Sequence, residues 1–211
     1  VRLGGNNFDE AYSASKKHQL LTGATVVHPF DDLAIIEGQA TVAMEMLQQC
    51  PDLDTIIVPT GGGGLLAGTA LAVKLIRPSV RVIGVQAQVT SPIAAIFRDT
   101  NLFSNTFLPT MAEGINVRVP GKLPTKIIQA YVDDVITVTE EEIASSILFM
   151  LEREKMLVEG AGAAAVAVAL HHHLPSTSSS TGVIVSGGNY DIGKLDECLK
   201  TATGIVVASS F

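Results

Sequence analysis

The sequence has no tryptophan, and its aromatic residues amount to only 5% of the chain. Charged residues are also few, at 17%, and 21 acidic side chains outnumber 14 basic ones, giving a formal net charge of −7. This balance argues against a nucleic-acid-binding protein, because such proteins present a basic face to the phosphate backbone. Apolar residues make up 47% of the chain, which excludes an intrinsically disordered protein.

Cysteine is nearly absent, with Cys50 and Cys198 standing alone and in no motif. We therefore expect two free thiols in a reducing compartment and a cytoplasmic protein. The N-terminus carries no signal-peptide pattern. The uncharged run 55–73 is long enough to cross a bilayer, but Pro59 and four consecutive glycines would leave backbone groups unpaired in lipid. We expect no association with membranes.

Strands and helices are predicted to alternate along most of the 211 residues. Predicted strands are 1–3, 24–27, 55–58, 81–85, 134–138 and 182–185. Predicted helices are 8–21, 36–49, 65–76, 140–155, 160–172 and 191–200. Asn7 and Glu10 would cap helix 8–21, and a Thr139–Glu142 capping box would open helix 140–155. Residues 90–125 are predicted as loops with one short helix. Strands 55–58, 81–85 and 182–185 are continuously apolar, which predicts an α/β fold: a mainly parallel, twisted sheet with helices on both faces.

Four consecutive glycines, Gly61 to Gly64, join a predicted strand to a predicted helix. Their backbone N–H groups and the helix N-terminus together suit a phosphate monoester. Two alternatives remain: a tight turn without a ligand, and a dinucleotide loop, since residues 62–67 fit G-x-G-x-x-A. Gln86 stands where the dinucleotide loop requires an acidic residue for a ribose. No Lys-Ser/Thr pair follows the glycines, which excludes a Walker A loop.

A second predicted strand ends in Ser186-Gly187-Gly188-Asn189. Ligands of open parallel sheets bind at the carboxyl ends of the strands, so Ser186 is a candidate ligand contact. The alternative is a polar turn between strand and helix.

These motifs, taken together, resemble the threonine dehydratase and serine racemase family of pyridoxal-phosphate (PLP) enzymes, which has the tryptophan-synthase-β fold (fold type II). Six segments carry the resemblance, in the family's order: His28-Pro29-Phe30-Asp31, Glu37-Gly38-Gln39-Ala40-Thr41, Gly61-Gly62-Gly63-Gly64, Met111-Ala112-Glu113-Gly114, Val158-Glu159-Gly160-Ala161-Gly162-Ala163 and Ser186-Gly187-Gly188-Asn189.

The resemblance implies PLP as the cofactor and an amino acid as the substrate. Gly61, Gly62, Gly63, Gly64 and Leu65 would bind the cofactor phosphate through their backbone. Ser186 would hydrogen-bond the pyridine nitrogen, and this neutral partner makes the ring a moderate electron sink. Gly114 and Asn189 would also border the cofactor. Glu113 and Glu159 are candidate catalytic groups near the substrate, with the alternative that each is an ordinary carboxylate at a helix end.

Other family features are missing from the sequence. The Ser-x-Lys-x-Arg-Gly-type segment with the Schiff-base lysine and the Ser-x-Gly-Asn-His loop do not occur. We nominate none of the eight lysines in their place. Gln86 and Pro92 occupy the positions of acidic metal ligands in racemase-like members, so no metal site is expected. Residues 171–173, three consecutive histidines, would point in different directions on a helix and are interpreted as a solvated helix end.

The expected protein is the C-terminal portion of a PLP-dependent L-threonine/L-serine dehydratase, a lyase that releases ammonia and a 2-oxo acid. Residues 1–30 would be a remnant of the small domain and 31–211 the large PLP-binding domain. The chain begins at Val1 within an apolar run, so we expect a truncated piece of a longer protein. Without the Schiff-base lysine this piece is expected to be inactive, and the resemblance implies a homodimer for the full enzyme. The alternatives are a serine racemase, a hydroxyaspartate dehydratase, or a non-catalytic paralogue that acts by binding or oligomerisation.

Overall fold

The computed structural model describes residues 3–5, 8–100, 108–171, 174 and 178–202. Within these ranges, four strands form one parallel sheet in the order β3-β2-β1-β4. They are β1 (Thr55–Pro59), β2 (Arg81–Ala87), β3 (Asp134–Val138) and β4 (Thr181–Val183). In the register of the sheet, Ile57 of β1 lies opposite Ile83 of β2 and Val183 of β4. The predicted parallel α/β architecture is confirmed.

Eight α-helices lie in the described part of the chain. They are α1 (Phe8–Thr22), α2 (Leu33–Gln49), α3 (Gly64–Ile76), α4 (Pro92–Phe97), α5 (Lys122–Tyr131), α6 (Glu140–Phe149), α7 (Gly160–Leu170) and α8 (Leu195–Ala202). A π-helical turn, Met150–Glu154, extends α6, and short 3-10 turns form at Glu113–Ile115 and Ile192–Lys194.

The helices cover both faces of the sheet, as predicted. On the first face, Ile56 and Val58 of β1 belong to one core with residues of α2 to α5. On the second face, Ile57 belongs to a core with α6, α7 and α8. Every residue of α7 from Gly160 to Val168 is buried. A helix built of small apolar residues on all sides, as α7 is, fits only in such an interior position.

The predicted capping box opens α6 as expected. The Thr139 backbone N–H donates to Glu142 Oε2 at 2.9 Å, and the Glu142 N–H donates to Thr139 Oγ1 at 3.3 Å. These reciprocal bonds satisfy two donors that a helix start otherwise leaves open. The helical stretch ends at Lys155, whose φ of 59° is left-handed, in agreement with the predicted end.

Two predicted strands need correction, and one helix was not predicted. Residues 24–27 do not form a strand, because no neighbouring strand within the described residues pairs with them, and Val27 stays exposed. Of the predicted strand 1–3, Leu3 is irregular and exposed, while residues 1 and 2, like the proposed cap Asn7, lie outside the described residues. The helix α5 was not predicted, although a proline in the first turn, Pro124, is compatible with a helix start.

The two cysteines are free thiols, Cys50 exposed and Cys198 buried. No helix in the described part of the chain has both the length and the hydropathy needed to cross a membrane.

We predict opposite effects for two Gly→Ala substitutions in the paired helices α2 and α3. A Cβ at Gly68 of α3 would overlap the Ile36 carbonyl oxygen and lie 2.8 Å from the Ala40 nitrogen, so Gly68→Ala forces α2 and α3 apart. It should lower the free energy of unfolding by about 1–3 kcal/mol. A Cβ at the exposed Gly38 of α2 meets nothing within 4 Å. Gly38→Ala should therefore raise the free energy by about 0.5–1 kcal/mol. Urea unfolding followed by circular dichroism measures both, and an unchanged stability of Gly68→Ala would contradict the close packing of the helices.

A second prediction concerns Asp54, just before β1. Its carboxylate accepts hydrogen bonds from Ser179 N (2.7 Å), Ser179 Oγ (2.8 Å), Thr55 Oγ1 (2.8 Å) and Ser180 N (3.0 Å). These bonds, chiefly the one from the Ser179 backbone, hold the pKa of Asp54 well below its ordinary range. Ionised Asp54 therefore stabilises the fold above the ordinary Asp pKa of about 3.9, and this contribution is lost as the pH falls towards the lowered pKa.

Asp54→Asn should accordingly be less stable than the wild type at pH 7, and the difference should shrink below about pH 4. Asp52→Asn, at an exposed neighbouring position, is the matched control. Urea unfolding at a series of pH values makes the measurement. A difference between wild type and Asp54→Asn that stays constant with pH would show that the carboxylate charge does not matter.

Candidate functional site

The sheet topology creates a crevice at the carboxyl ends of β1 and β4. The chain leaves β1 towards α3 on the first face and leaves β4 towards α8 on the second face. Neighbouring parallel strands whose connections diverge in this way open a ligand crevice between them. A cavity of about 370 Å³ lies there. We refer to it as the first cavity, and its lining includes Gly61, Gly62, Gly63, Gly64, Leu65, Gly114 and Ser186.

The glycine loop, residues 61–64, presents unpaired donors to this cavity. Gly63 adopts a left-handed conformation (φ 98°) and caps α3 without any side-chain hydrogen bond. Among the described residues, none accepts a hydrogen bond from the N–H groups of Gly61 to Leu66, although most of these residues are buried. Buried backbone N–H groups are almost always paired, so a run of open ones beside a cavity fits an anion. The loop therefore suits the phosphate of PLP.

Close packing explains why the loop consists of glycines. A Cβ at Gly62 would overlap the ring of Phe30. At Gly61 it would lie 3.0 Å from Ile115 Cα, and at Gly64 it would lie 3.0 Å from Phe30 Cα. The glycines thus let Phe30 and the turn at Ile115 approach the backbone, which a larger residue would prevent.

The turn that carries Phe30 is fixed by two side chains. His28 Nδ1 accepts hydrogen bonds from the backbone N–H groups of Phe30 (3.3 Å) and Asp31 (2.9 Å). The Asp31 carboxylate accepts from Lys122 N (3.0 Å) and Leu123 N (2.9 Å) at the start of α5. Beyond the family resemblance, no sequence signal indicates a role for either side chain. Residues 28–31 therefore connect α5 to the glycine loop.

The remaining predicted site residues line a different cavity. Glu113, Glu159 and Asn189 border a second cavity, of about 380 Å³, whereas the glycine loop and Ser186 do not. Glu113 is exposed and pairs with Lys194, and the hydrogen bond that Lys194 Nζ donates to the Glu113 carboxylate raises the pKa of Lys194. The structure therefore places Asn189, which was predicted to border the cofactor, in the same cavity as Glu113 and Glu159, whereas the other predicted cofactor residues line the first cavity.

Glu159 lies at the wall between the two cavities. It is the N-cap residue of α7, and its side chain makes no capping hydrogen bond. A Cβ at Gly187 would overlap the Glu159 carboxylate, and a Cβ at Gly114 would lie 3.7 Å from Glu159 Oε1. The carboxylate thus packs between two glycines, one of which lines the first cavity.

Two ionisable side chains at or beside the second cavity, Tyr190 and Cys198, have a shifted pKa. Burial raises the pKa of Tyr190 to about 12 and also raises the pKa of Cys198.

All eight lysines lie in the described ranges, where none lines the first cavity and Lys194 lines the second. Lys194 is held by Glu113.

The residues considered for metal binding have other contacts. Gln86 is completely buried, donates to the Thr60 carbonyl and accepts from the Ala94 N–H, while Pro92 begins α4. His171 pairs with Ser145 at 2.8 Å, and His172 and His173 lie outside the described residues. In the part of the chain that the structure describes, no group of three His, Cys, Asp or Glu side chains is arranged to hold a metal ion.

Known proteins are similar to this chain in sequence and in fold. A family model described as pyridoxal-phosphate dependent enzyme matches residues 1–187. The chain is 42% identical over 199 residues to the L-threonine ammonia-lyase of Thermotoga maritima, covering 94% of this chain and 49% of that protein. It is 37% identical to the catabolic L-threonine dehydratase TdcB of Escherichia coli K12, covering 93% of this chain and 60% of that protein.

A solved structure shares the architecture as well. Maize serine racemase superposes with a TM-score of 0.83 at 35% identity, covering 93% of this chain and 61% of the racemase. The chain spans about half to three fifths of the length of the curated relatives named above. Because the family match extends over most of the sequence and the parallel α/β fold agrees with it, the chain belongs to the family of pyridoxal-phosphate dependent enzymes.

Proposed function

We propose that this chain is the C-terminal, cofactor-binding portion of a PLP-dependent L-threonine/L-serine dehydratase. Such a lyase converts the hydroxy amino acid into a 2-oxo acid and ammonia. The observation that carries the proposal is the row of unpaired N–H groups in the glycine loop, which shares one cavity with Ser186. The identity of 42% to an L-threonine ammonia-lyase supports the choice of reaction.

The proposal assigns residues 31–211 to a large domain and residues 1–30 to part of a smaller one. Within the described residues, neither core contains a residue before Ile36, which supports this division. We also propose a homodimer in the cytoplasm. Two free cysteines suit a reducing compartment.

Gly61, Gly62, Gly63, Gly64 and Leu65 would bind the phosphate of the cofactor through their N–H groups. The N-terminus of α3 adds a favourable dipole of about 0.3–1 kcal/mol, so most of the affinity must come from the converging hydrogen bonds. Gly114 lines the same cavity and would border the cofactor.

Ser186 would contact the pyridine nitrogen of the cofactor. When bound, PLP supplies an electron-withdrawing ring that stabilises negative charge on the substrate's α-carbon. A hydroxyl partner leaves the ring nitrogen uncharged and so moderates that withdrawal, which suits loss of a β-hydroxyl after proton removal.

Glu113 and Glu159 would lie on the substrate side, whereas Asn189, in the lining of the same cavity, would border the cofactor. Carboxylates attract the ammonium group of an amino acid, and Glu159 at the wall between the cavities could act on both sides. Since none of the eight lysines lines the first cavity within the described residues, we propose that residues 1–211 alone do not catalyse the reaction.

Binding of phosphorylated and unphosphorylated ligands tests the role of the glycine loop. Pyridoxamine 5′-phosphate and pyridoxamine are suitable probes because neither has an aldehyde that reacts with surface lysines. The chain should bind the phosphorylated compound at least about tenfold more tightly, and inorganic phosphate should compete with it. Isothermal titration calorimetry makes the measurement, and equal affinities for the two compounds would contradict the assignment.

Ser186→Ala should weaken binding of both probes by about fivefold, because one hydrogen bond to the ring is worth about 1 kcal/mol and does not involve the phosphate. Ser15→Ala, at an exposed position in α1, is the matched control and should leave both affinities unchanged. An effect of Ser186→Ala on the phosphorylated probe alone would place Ser186 at the phosphate instead.

Product analysis of the full-length gene product with PLP tests the reaction. We expect ammonia and 2-oxobutanoate from L-threonine, or ammonia and pyruvate from L-serine, in equal amounts. Dominant D-serine from L-serine, with little pyruvate, would instead support a racemase, since the chain is also similar to the maize serine racemase. Absence of turnover despite binding of the phosphorylated probe would support a non-catalytic paralogue.

A further inference from the structure

Gln86 of β2 is a buried polar residue whose side chain bridges two elements. It is completely inaccessible to solvent. Its Nε2 donates to the carbonyl of Thr60 at 3.2 Å, and its Oε1 accepts from the backbone N–H of Ala94, in α4, at 3.0 Å. Thr60 directly precedes the glycine loop. Gln86 therefore connects the start of the loop to the first turn of α4.

The bond to Thr60 determines the direction of a loop N–H. The Thr60 carbonyl and the Gly61 N–H belong to the same planar trans peptide unit and point in opposite directions. Holding the carbonyl against Gln86 therefore turns the Gly61 N–H away from β2. In the same way, the Gly121 N–H donates to the Gly62 carbonyl at 3.0 Å and fixes the direction of the Gly63 N–H.

We propose that Gln86 is a positioning residue for the phosphate-binding loop and couples that loop to α4. The inference rests on the proposed function, since it assumes that the loop binds the cofactor phosphate. The side chain needs both a donor and an acceptor, and the amide of glutamine supplies the two at this length. A glutamate would place a second acceptor against the Thr60 carbonyl and bury a charge.

The bridge has a consequence that can be measured on the wild-type chain. A ligand that orders the loop also orders the hydrogen bonds that continue through Gln86 to Ala94. Saturating the chain with pyridoxamine 5′-phosphate should therefore slow hydrogen exchange at the Ala94 amide. This amide lies outside the lining of the first cavity, so direct shielding by the ligand does not explain such protection.

Gln86→Met is the decisive variant, because methionine has similar length but offers neither the donor nor the acceptor. Its affinity for pyridoxamine 5′-phosphate should fall about tenfold, while its affinity for pyridoxamine should stay unchanged. The ligand-induced protection at Ala94 should disappear. Ser146→Ala is the matched control: Ser146 is also completely buried, and its Oγ donates to the Glu142 carbonyl at 2.7 Å on the other side of the sheet. It should leave phosphate selectivity unchanged.

Several results would overturn the proposal. One is that Gln86→Met binds both probes as tightly as the wild type does, and another is that it loses affinity for both probes to the same extent. If Gln86→Met does not fold, the wild-type exchange experiment decides, and unchanged exchange at Ala94 on saturation overturns the coupling. If the wild type binds the phosphorylated and unphosphorylated probes equally, the proposed function fails together with this inference. If the wild type prefers the phosphorylated probe and Gln86→Met prefers it to the same extent, this inference fails while the proposed function stands.

Discussion

Most of the residues from Gly61 to Leu66 are buried, yet no described residue accepts a hydrogen bond from their N–H groups, and much of the surrounding structure holds this loop in place. Leaving several buried donors without acceptors costs about 1–3 kcal/mol each, so the loop is stable only if its neighbours hold it. The neighbours hold the loop by hydrogen bonds to the carbonyls of Thr60 and Gly62 and by packing against the glycines. Gln86 and Gly121 bind two carbonyls, and Phe30 packs against the glycines themselves.

The strand order places this loop where a ligand can reach it. Because β4 lies beside β1 and the two connections diverge onto opposite faces, the loop and Ser186 border the same cavity. The acidic side chains Glu113 and Glu159 line the neighbouring cavity. The glycine-loop cavity and the acidic cavity thus meet near Gly114 and the Glu159 carboxylate. Under the proposed function, this arrangement would suit a phosphorylated cofactor beside an amino acid with a free ammonium group.

Sequence alone predicts the features that depend on local chemistry. Continuous apolar runs identify the parallel strands, Thr139 and Glu142 identify the start of α6, and four glycines identify the loop. Sequence alone does not predict features that depend on contacts with residues far away in the chain. The Asp31 carboxylate, which accepts from the first N–H groups of α5, lies 91 positions before Lys122 and 92 positions before Leu123 in the sequence. Residues 24–27 form no strand because they have no partner strand among the described residues. The division of the candidate side chains between two cavities likewise depends on tertiary packing.

The central claim is that the glycine loop is the phosphate site, and an NMR titration locates the ligand most directly. The ¹⁵N-labelled chain is titrated with pyridoxamine 5′-phosphate, and the amide resonances are followed residue by residue. We expect the largest shifts at Gly61 to Leu65, with much smaller shifts at Glu113 and Lys194, which line the second cavity only. Large shifts around Glu113 and Lys194, with none in the glycine loop, would contradict the claim.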